Sequence, residues 1–304
     1  MPAVTDLLRL HRLEYPFPVI YLCHVGWGAC YAVASVAELP RPATLITMLA
    51  NLLPFVAMNA LNSALDIKAD AATAGKRSVS QAAGRVGSRV TIGCALGEMA
   101  LAVLLATGVA VRLDRPVVAV TVGLAVLIHL LYNLEPVRLK RRGLANPLSL
   151  GLTFAVLPCL STFTAAAGVP SAQVWLIFAG IGLLLVGRTL WWSVPDLPAD
   201  AAVGDRTPVV LYGVRRALII ACAATTAALL LLGAGIAWRY GLAPAVVVVV
   251  TSGAFLAEKL RLLSGGNRAR LPHERQMRRH TLTLVMIADL VLCAVPLHAA
   301  GGNP

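Results

Sequence analysis

Asn59-Ala-Leu-Asn62-Ser-Ala-Leu-Asp66-Ile-Lys-Ala-Asp70 closes the second long apolar stretch of this chain, which runs from about residue 43 to residue 65. About 20 apolar residues cross a bilayer as a helix, so the stretch reads as a membrane helix ending in a polar ladder. Residues at i and i+4 share a helix face, which places Asn62, Asp66 and Asp70 together. A carboxylate costs about 2.5–3.5 kcal/mol at the centre of a membrane helix, and two of them side by side repel unless a cation lies between them. Hard oxygen donors suit Mg²⁺, which binds through one or two carboxylates plus substrate phosphates. Taken alone, the ladder also reads as a solvated helix end with two ordinary acids.

The rest of the chain repeats the theme. Its 304 residues are 58% hydrophobic and 13% charged, a membrane composition. Nine apolar stretches stand out, at about 17–37, 43–65, 90–111, 116–133, 147–168, 172–194, 217–237, 242–262 and 280–299. In lipid every backbone polar group must be satisfied internally, so each is expected to be a helix. The expected fold class is an all-α membrane protein: nine transmembrane helices in one bundle with a central cavity, forming a single domain over 1–304. Residues 1–16 show no cleavable leader pattern.

The net charge of +12 suggests an acidic partner, but the bases lie between the apolar stretches. Arg9 and Arg12, the Lys68–Arg89 loop, the Arg138–Arg142 loop, Arg206–Arg216 and Lys259–Arg279 fall in alternate loops. The other loops hold Arg41, Arg112, Arg115 and Arg239. The positive-inside rule places the N-terminus in the cytoplasm and the C-terminus outside. The bases therefore read as topology signals and contacts to anionic headgroups, with no nucleic acid involved. The six cysteines form no CxxC pair or zinc spacing and read as small buried hydrophobes.

A second acidic set ends the sixth stretch: Trp191-Trp192-Ser-Val-Pro-Asp196-Leu-Pro-Ala-Asp200-Ala-Ala-Val-Gly204-Asp205-Arg206-Thr207. Asp196 and Asp200 are again four apart and lie on the same membrane face as the first set. Pro195 and Pro198 interrupt the helix here. Asp205 departs from the spacing and reads as a loop residue. Between the two sets, Tyr132-Asn-Leu-Glu-Pro136-Val-Arg138-Leu-Lys140-Arg141-Arg142 offers cations for phosphate oxygens, and Lys76-Arg77 follows the first set.

In this order the elements resemble the UbiA-type membrane prenyltransferases over almost the whole chain. Asn62 to Asp70 is similar to that family's first motif, Asn-Asp-x-x-Asp-x-x-x-Asp, with Lys76-Arg77 and Gly84-Arg85 as its continuation. Tyr132, Pro136 and Lys140 match its tyrosine–proline–lysine loop. Asp196, Asp200, Gly204 and Thr207 match its Asp-x-x-x-Asp-x-x-x-Gly-x-x-Thr segment. Ser63 and Trp192 stand where many members carry further acids.

The resemblance implies Mg²⁺-dependent transfer of an isoprenyl group from an isoprenyl diphosphate to a small aromatic or other lipophilic acceptor. Terpene cyclisation and prenylation of a carotenoid-like chain are the alternatives on the same fold. Asn62, Asp66, Asp70, Asp196 and Asp200 would hold metal. Arg77 and Lys140 would bind diphosphate, and Tyr132 would orient Lys140 or face the cation. A multi-pass protein of the bacterial plasma membrane, working at its cytoplasmic face, is the implied setting.

Other polar groups in apolar stretches invite weaker expectations. Trp191 and Trp192 would stabilise a cation or join an interfacial belt. Arg188 would reach the diphosphate or pair with an acid inside the bundle. His24 and His129 would be satisfied packing residues. Glu98 and Asp289 would face the interior, Lys259 would snorkel to the interface, and Arg12 would anchor or approach the head group.

Overall fold

Apolar runs without interruption become helices, and the residues that interrupt them set the ends. A computed structural model describes residues 4–72, 77–264 and 281–301. It contains α1 (Val4–Leu10), α2 (Phe17–Ala32), α3 (Pro42–Leu65), α4 (Ile67–Ala72), α5 (Arg77–Val86) and α6 (Ser88–Leu113). There follow α7 (Val117–Asn133), α8 (Ala145–Gly151), a π-helical turn (Leu152–Val156), α9 (Leu157–Ala167) and α10 (Ala172–Trp192). The chain ends with α11 (Leu197–Ala202), α12 (Pro208–Tyr240), α13 (Leu242–Ser264) and α14 (Leu282–Gly301).

Each of the nine apolar stretches is helical among the described residues. Six helices are long and apolar enough to cross a membrane by length and composition: Pro42–Leu65, Ser88–Leu113, Ala145–Ala167, Ala172–Trp192, Pro208–Tyr240 and Leu282–Ala299. Val117–Asn133 is apolar but shorter. Two boundaries differ from the sequence reading. α2 stops at Ala32, where Val33 turns extended. α12 starts nine residues earlier than expected because a turn begins at Pro208, whose fixed φ suits the first helical position. That turn joins the long helix through a non-helical Gly213 at φ 75°. Lys76 and Arg268, Arg270, Arg275, Arg278 and Arg279 lie outside the described residues.

The bundle has two halves. α3 packs on α6, α6 on α7 and α7 on α9; α10 packs on α12, α12 on α13 and α13 on α14. α2 joins the halves by packing on both α9 and α14. Small residues allow the close crossings, as is usual where lipid supplies no hydrophobic drive between helices. A Cβ on Gly28 would stand 2.0 Å from the Cys159 backbone oxygen of α9. Gly28→Ala is therefore expected to lower the melting temperature in detergent, since backbone cannot yield as a side chain does and overpacking costs about 1–3 kcal/mol. Gly84→Ala, with open space at its Cβ, is the contrasting change and should be neutral or stabilising.

Outward faces carry large exposed apolar side chains, among them Leu104 at 69%, Leu230 at 69% and Val250 at 65% exposure. Inside, polar groups find partners across helices. Asn51 Nδ2 donates to Ser161 Oγ at 2.7 Å and Asn59 Nδ2 to the Tyr21 hydroxyl at 3.0 Å. Lys259 is wholly buried rather than snorkelling: its ammonium donates to Thr225 Oγ1 at 2.9 Å and lies 3.8 Å from the centre of the Phe255 ring. Four cysteines are buried, Cys94 is exposed, and all six are free thiols.

Arg188 resolves to the interior alternative. Its Nη1 lies 2.6 Å from Asp289 Oδ1, and His24 Nε2 lies 3.4 Å from the other carboxylate oxygen. Tyr21, His24, Phe55, His129 and Phe154 fill the space between α2, α3, α7 and the π turn, with Phe55 and Phe154 stacked at 4.3 Å. His129 is not the satisfied residue expected, since both its ring nitrogens lack hydrogen-bond partners among the described residues, whereas His24 Nε2 faces the Asp289 carboxylate at 3.4 Å. His129 is surrounded by the Phe55 and Phe154 rings, which offer no acceptors.

Candidate functional site

The ladder bends where it was expected to run straight. α3 ends at Leu65, Asp66 caps it at φ −107°, and α4 starts at Ile67. The helical hydrogen-bond register nevertheless continues, with Asp66 N donating to Asn62 O at 3.0 Å and Asp70 N to Asp66 O at 2.8 Å. Asn62, Asp66 and Asp70 thus stay on consecutive turns. Asp70 is buried and Asp66 half-buried. Ser63, one of the two departures noted, is fully buried and its hydroxyl donates back to Asn59 O at 2.8 Å.

Repulsion between the acids is relieved here by side-chain cations. The Lys140 ammonium donates to Asp66 Oδ2, and also to Asn62 Oδ1 at 2.9 Å. Arg138 Nη2 donates to Asp66 Oδ1 at 2.8 Å and Arg138 Nη1 to Glu135 Oε1 at 2.9 Å. Both bases come from the loop after α7, whose short 3₁₀ turn (Leu139–Arg141) buries Lys140. Burial pushes the Lys140 ammonium below the ordinary lysine value, with Asp66 opposing that shift. Arg138 and Arg141 hold the exposed Glu135 below its ordinary value.

Tyr132 belongs to the same unit. Its hydroxyl donates to Asn146 Oδ1 at 3.4 Å, and Asn146 Nδ2 donates to Lys140 O at 2.9 Å. The charges of Arg12, Asp200, Asp66 and Asp196 all act on this hydroxyl, so both acidic segments lie within electrostatic reach of one residue. The structure therefore links Tyr132 to the Lys140 loop through Asn146, a residue the sequence reading did not select.

The second acidic segment docks onto that loop. Gly143 N donates to Arg206 O at 2.8 Å. Gly143 has φ 52°, and a Cβ there would stand 3.1 Å from a Leu211 methyl and 3.2 Å from the Tyr212 hydroxyl, so glycine suits both its conformation and its space. Asp196 caps the short α11, and Asp200 sits in its first turn. Thr207 Oγ1 donates to Asp200 Oδ2 at 3.0 Å. Asp205 is a loop residue, as its spacing suggested, but it pairs with Arg141. Burial pushes its carboxyl up, while Arg141, Lys140 and Arg138 pull it back.

Arg77 stands apart, exposed at the start of α5. Trp191 is fully buried against Phe255, with ring centres 6.0 Å apart, and belongs neither to an interfacial belt nor to this network. Glu135, Arg138, Arg141, Arg142, Arg206 and Tyr212 contribute to the lining of an open cleft of about 520 Å³. Among the described residues no three acidic, histidine or cysteine side chains converge closely enough to hold a metal alone. The donors are all hard oxygens spread over two segments, an arrangement that fits an ion completed by phosphate and water.

The N-terminal helix closes over this end. Asp6 Oδ1 accepts from Arg85 Nη2 at 2.5 Å, and Glu98 Oε1 lies 3.0 Å from His11 Nε2. Glu98 raises the His11 pKa above its ordinary value, assisted by Leu7 O. A raised histidine value stabilises the docked helix fully below the unfolded pKa of about 6.5. That contribution disappears as pH rises through the folded value. Amide protection in residues 4–12 should accordingly fall above neutral pH, and Glu98→Gln should remove the pH dependence. Protection independent of pH in the unaltered protein would contradict the pairing.

Fold and site together define an integral membrane protein with an acid–base network at one end of a helical bundle. The model of the UbiA prenyltransferase family matches residues 21–282, and the chain belongs to that family; it is a prenyltransferase. It is 29% identical over 248 residues to a 4-hydroxybenzoate octaprenyltransferase of Azotobacter vinelandii, covering 80% of this chain and 78% of the relative. It is 26% identical over 258 residues to the protein of that description from Pseudomonas aeruginosa, covering 84% and 83%. Among solved structures, a UbiA homolog from Archaeoglobus fulgidus bound to DMAPP and Mg²⁺ superposes with a TM-score of 0.74 at 16% identity, over 98% of this chain and 100% of the other. A UbiA homolog from Aeropyrum pernix K1 gives 0.67 at 20% identity, over 93% and 97%.

Proposed function

We propose that this protein transfers an isoprenyl group from an isoprenyl diphosphate to an aromatic or other lipophilic acceptor, with Mg²⁺, at the cytoplasmic face of a bacterial plasma membrane. In this reading the chain is one domain of nine spans with the N-terminus inside. The observation that carries it is the convergence of two acidic segments and one lysine loop at the same end of the bundle. The relatives' described activity on 4-hydroxybenzoate supports an aromatic acid as acceptor.

Asn62, Asp66, Asp70, Asp196 and Asp200 would hold Mg²⁺, which when bound stabilises charge on the leaving diphosphate. Lys140 donates to a diphosphate oxygen from its place beside Asn62 and Asp66, and Arg77 approaches from α5. Tyr132 holds the Lys140 loop through Asn146 and so orients Lys140. The tail would run into a cavity between helices that opens to lipid. The donor C–O bond breaks with its electron pair going to diphosphate, and an electron-rich acceptor carbon attacks the allylic cation and then loses its proton. Low water access at that place would keep the cation from being quenched.

The test is diphosphate release by purified protein with Mg²⁺, given geranyl, farnesyl and geranylgeranyl diphosphates, with and without 4-hydroxybenzoate. Release that requires the acceptor, with a prenylated product, is expected. Release from donor alone with a hydrocarbon product would replace transfer by cyclisation.

A further inference from the structure

The loop after α7 and the loop before α12 are joined where Gly143 N donates to Arg206 O at 2.8 Å. The cleft of about 520 Å³ opens between them, lined by four arginines, Arg138, Arg141, Arg142 and Arg206, and by one carboxylate, Glu135. Lys140, Asp66, Asp70, Asp196 and Asp200 take no part in its lining. Arg138 stands between the two places, with Nη2 on Asp66 at 2.8 Å and Nη1 on Glu135 at 2.9 Å. The cleft therefore adjoins the proposed metal site without sharing its oxygen donors.

Glu135 marks where an outside anion would sit. Its Oε1 accepts from Arg138 and also lies 3.7 Å from Arg141 Nη1. The Glu135 side chain is 62% exposed, and an ion pair so open to water contributes little. Arg142 is tied to the loop itself, its Nη2 donating to Pro136 O at 2.7 Å, and meets no carboxylate among the described residues. Arg206 is exposed and makes no ion pair among the described residues. One carboxylate thus serves four guanidinium groups, and guanidinium forks match phosphate oxygens in parallel bonds.

The remaining wall indicates what carries the phosphate. Leu211 and Tyr212 line the same cleft and are well exposed there. They belong to the turn that opens α12, which is long and apolar enough to cross a membrane. Tyrosine is enriched at headgroup level. A soluble anion would use the arginines alone, whereas a phospholipid would use both walls, with its phosphate on the arginines and its chains along α12.

We propose that this cleft binds the phosphate of an anionic phospholipid headgroup, which takes the place of Glu135 between Arg138 and Arg141 and is completed by Arg142 and Arg206. It is one defined site, distinct from the general attraction of basic loops to an anionic surface, and it does not depend on the transfer reaction proposed above.

Purified protein in a neutral detergent, without Mg²⁺, is titrated with phosphatidylglycerol; retained lipid is counted by native mass spectrometry and the melting temperature is followed. One retained phosphatidylglycerol and a higher melting temperature are expected, with phosphatidylcholine giving neither. Arg206→Gln should weaken retention about fivefold, the scale of one surface base acting on an anionic headgroup. Glu135→Gln, which removes the competing carboxylate, should strengthen it about threefold. A folding defect would weaken both variants, so the opposite signs separate the site from a loss of structure. Arg89→Gln, which removes an exposed base from outside the cleft, should bind as the unaltered protein does. Equal weakening by Arg89→Gln and Arg206→Gln would reduce the effect to diffuse charge and overturn the proposal, as would weaker retention by Glu135→Gln. Stabilisation by inorganic phosphate with no retention of phosphatidylglycerol would overturn the lipid assignment.

Discussion

Asp66→Asn is expected to lower turnover at least about 100-fold, the scale on which removal of one transition-state stabilising group acts, while the protein still inserts. Asp66 lies at the bend between α3 and α4, where one carboxylate faces Lys140 and Arg138 together. Asparagine keeps the shape and an acceptor but removes the charge. Two effects follow. Magnesium loses a carboxylate in the proposed site, so the Mg²⁺ concentration for half-maximal activity should rise. Lys140, which is 7% exposed, loses its main counter-charge, and its pKa should fall further. Measuring melting temperature beside Mg²⁺-dependent diphosphate release keeps the two apart. Alanine at Asp66, Asp70, Asp196 and Asp200 in turn should each remove most turnover, and full activity in two of them would end the metal-clamp assignment.

Asp289→Leu should destabilise the protein by about 3–5 kcal/mol, the cost of leaving one member of a buried ion pair alone. The side chains of Arg188 and Asp289 are 5% and 0% exposed. Their contact joins α10 to α14, and Trp27 Nε1 donates to Asp289 O at 3.2 Å from α2. Removing the carboxylate strands a guanidinium among Trp27, His24 and apolar neighbours. Replacing both partners, Arg188→Met with Asp289→Leu, should recover most of that loss, since a hydrophobic substitute for a buried pair is often neutral or better. Thermal unfolding of the two single variants and the double variant gives the coupling directly. A double variant no more stable than Asp289→Leu would show that the pair is not coupled as drawn.

The acidic ladder, the second acidic pair and the lysine loop were all legible because each is a local pattern. Four-residue spacing survives the bend at Asp66 since the backbone bonds from Asp66 to Asn62 and from Asp70 to Asp66 persist. The break after Trp192 follows from Pro195 and Pro198, and α11 begins just beyond it. Partner choice was not legible. Arg138 bonding Asp66, Asn146 joining Tyr132 to Lys140, and Asp205 meeting Arg141 each cross between segments. In the sequence Arg138 and Arg141 are two bases in a run that topology alone accounts for. Lys259 was misread because proximity to a helix end says nothing about which face meets α12.

The sequence by itself determined that the chain forms apolar helices and that its acids and bases gather in loops of one set. Hydrophobic length and the cost of charge in lipid act locally and leave their trace in residue order. Only the tertiary structure decided which charges neutralise one another. Arg188 turned inward to Asp289, Lys140 settled on Asp66 and Asn62, and Asp205 met Arg141. Electrostatic pairing depends on the distance between groups far apart in the chain, and helix packing sets that distance.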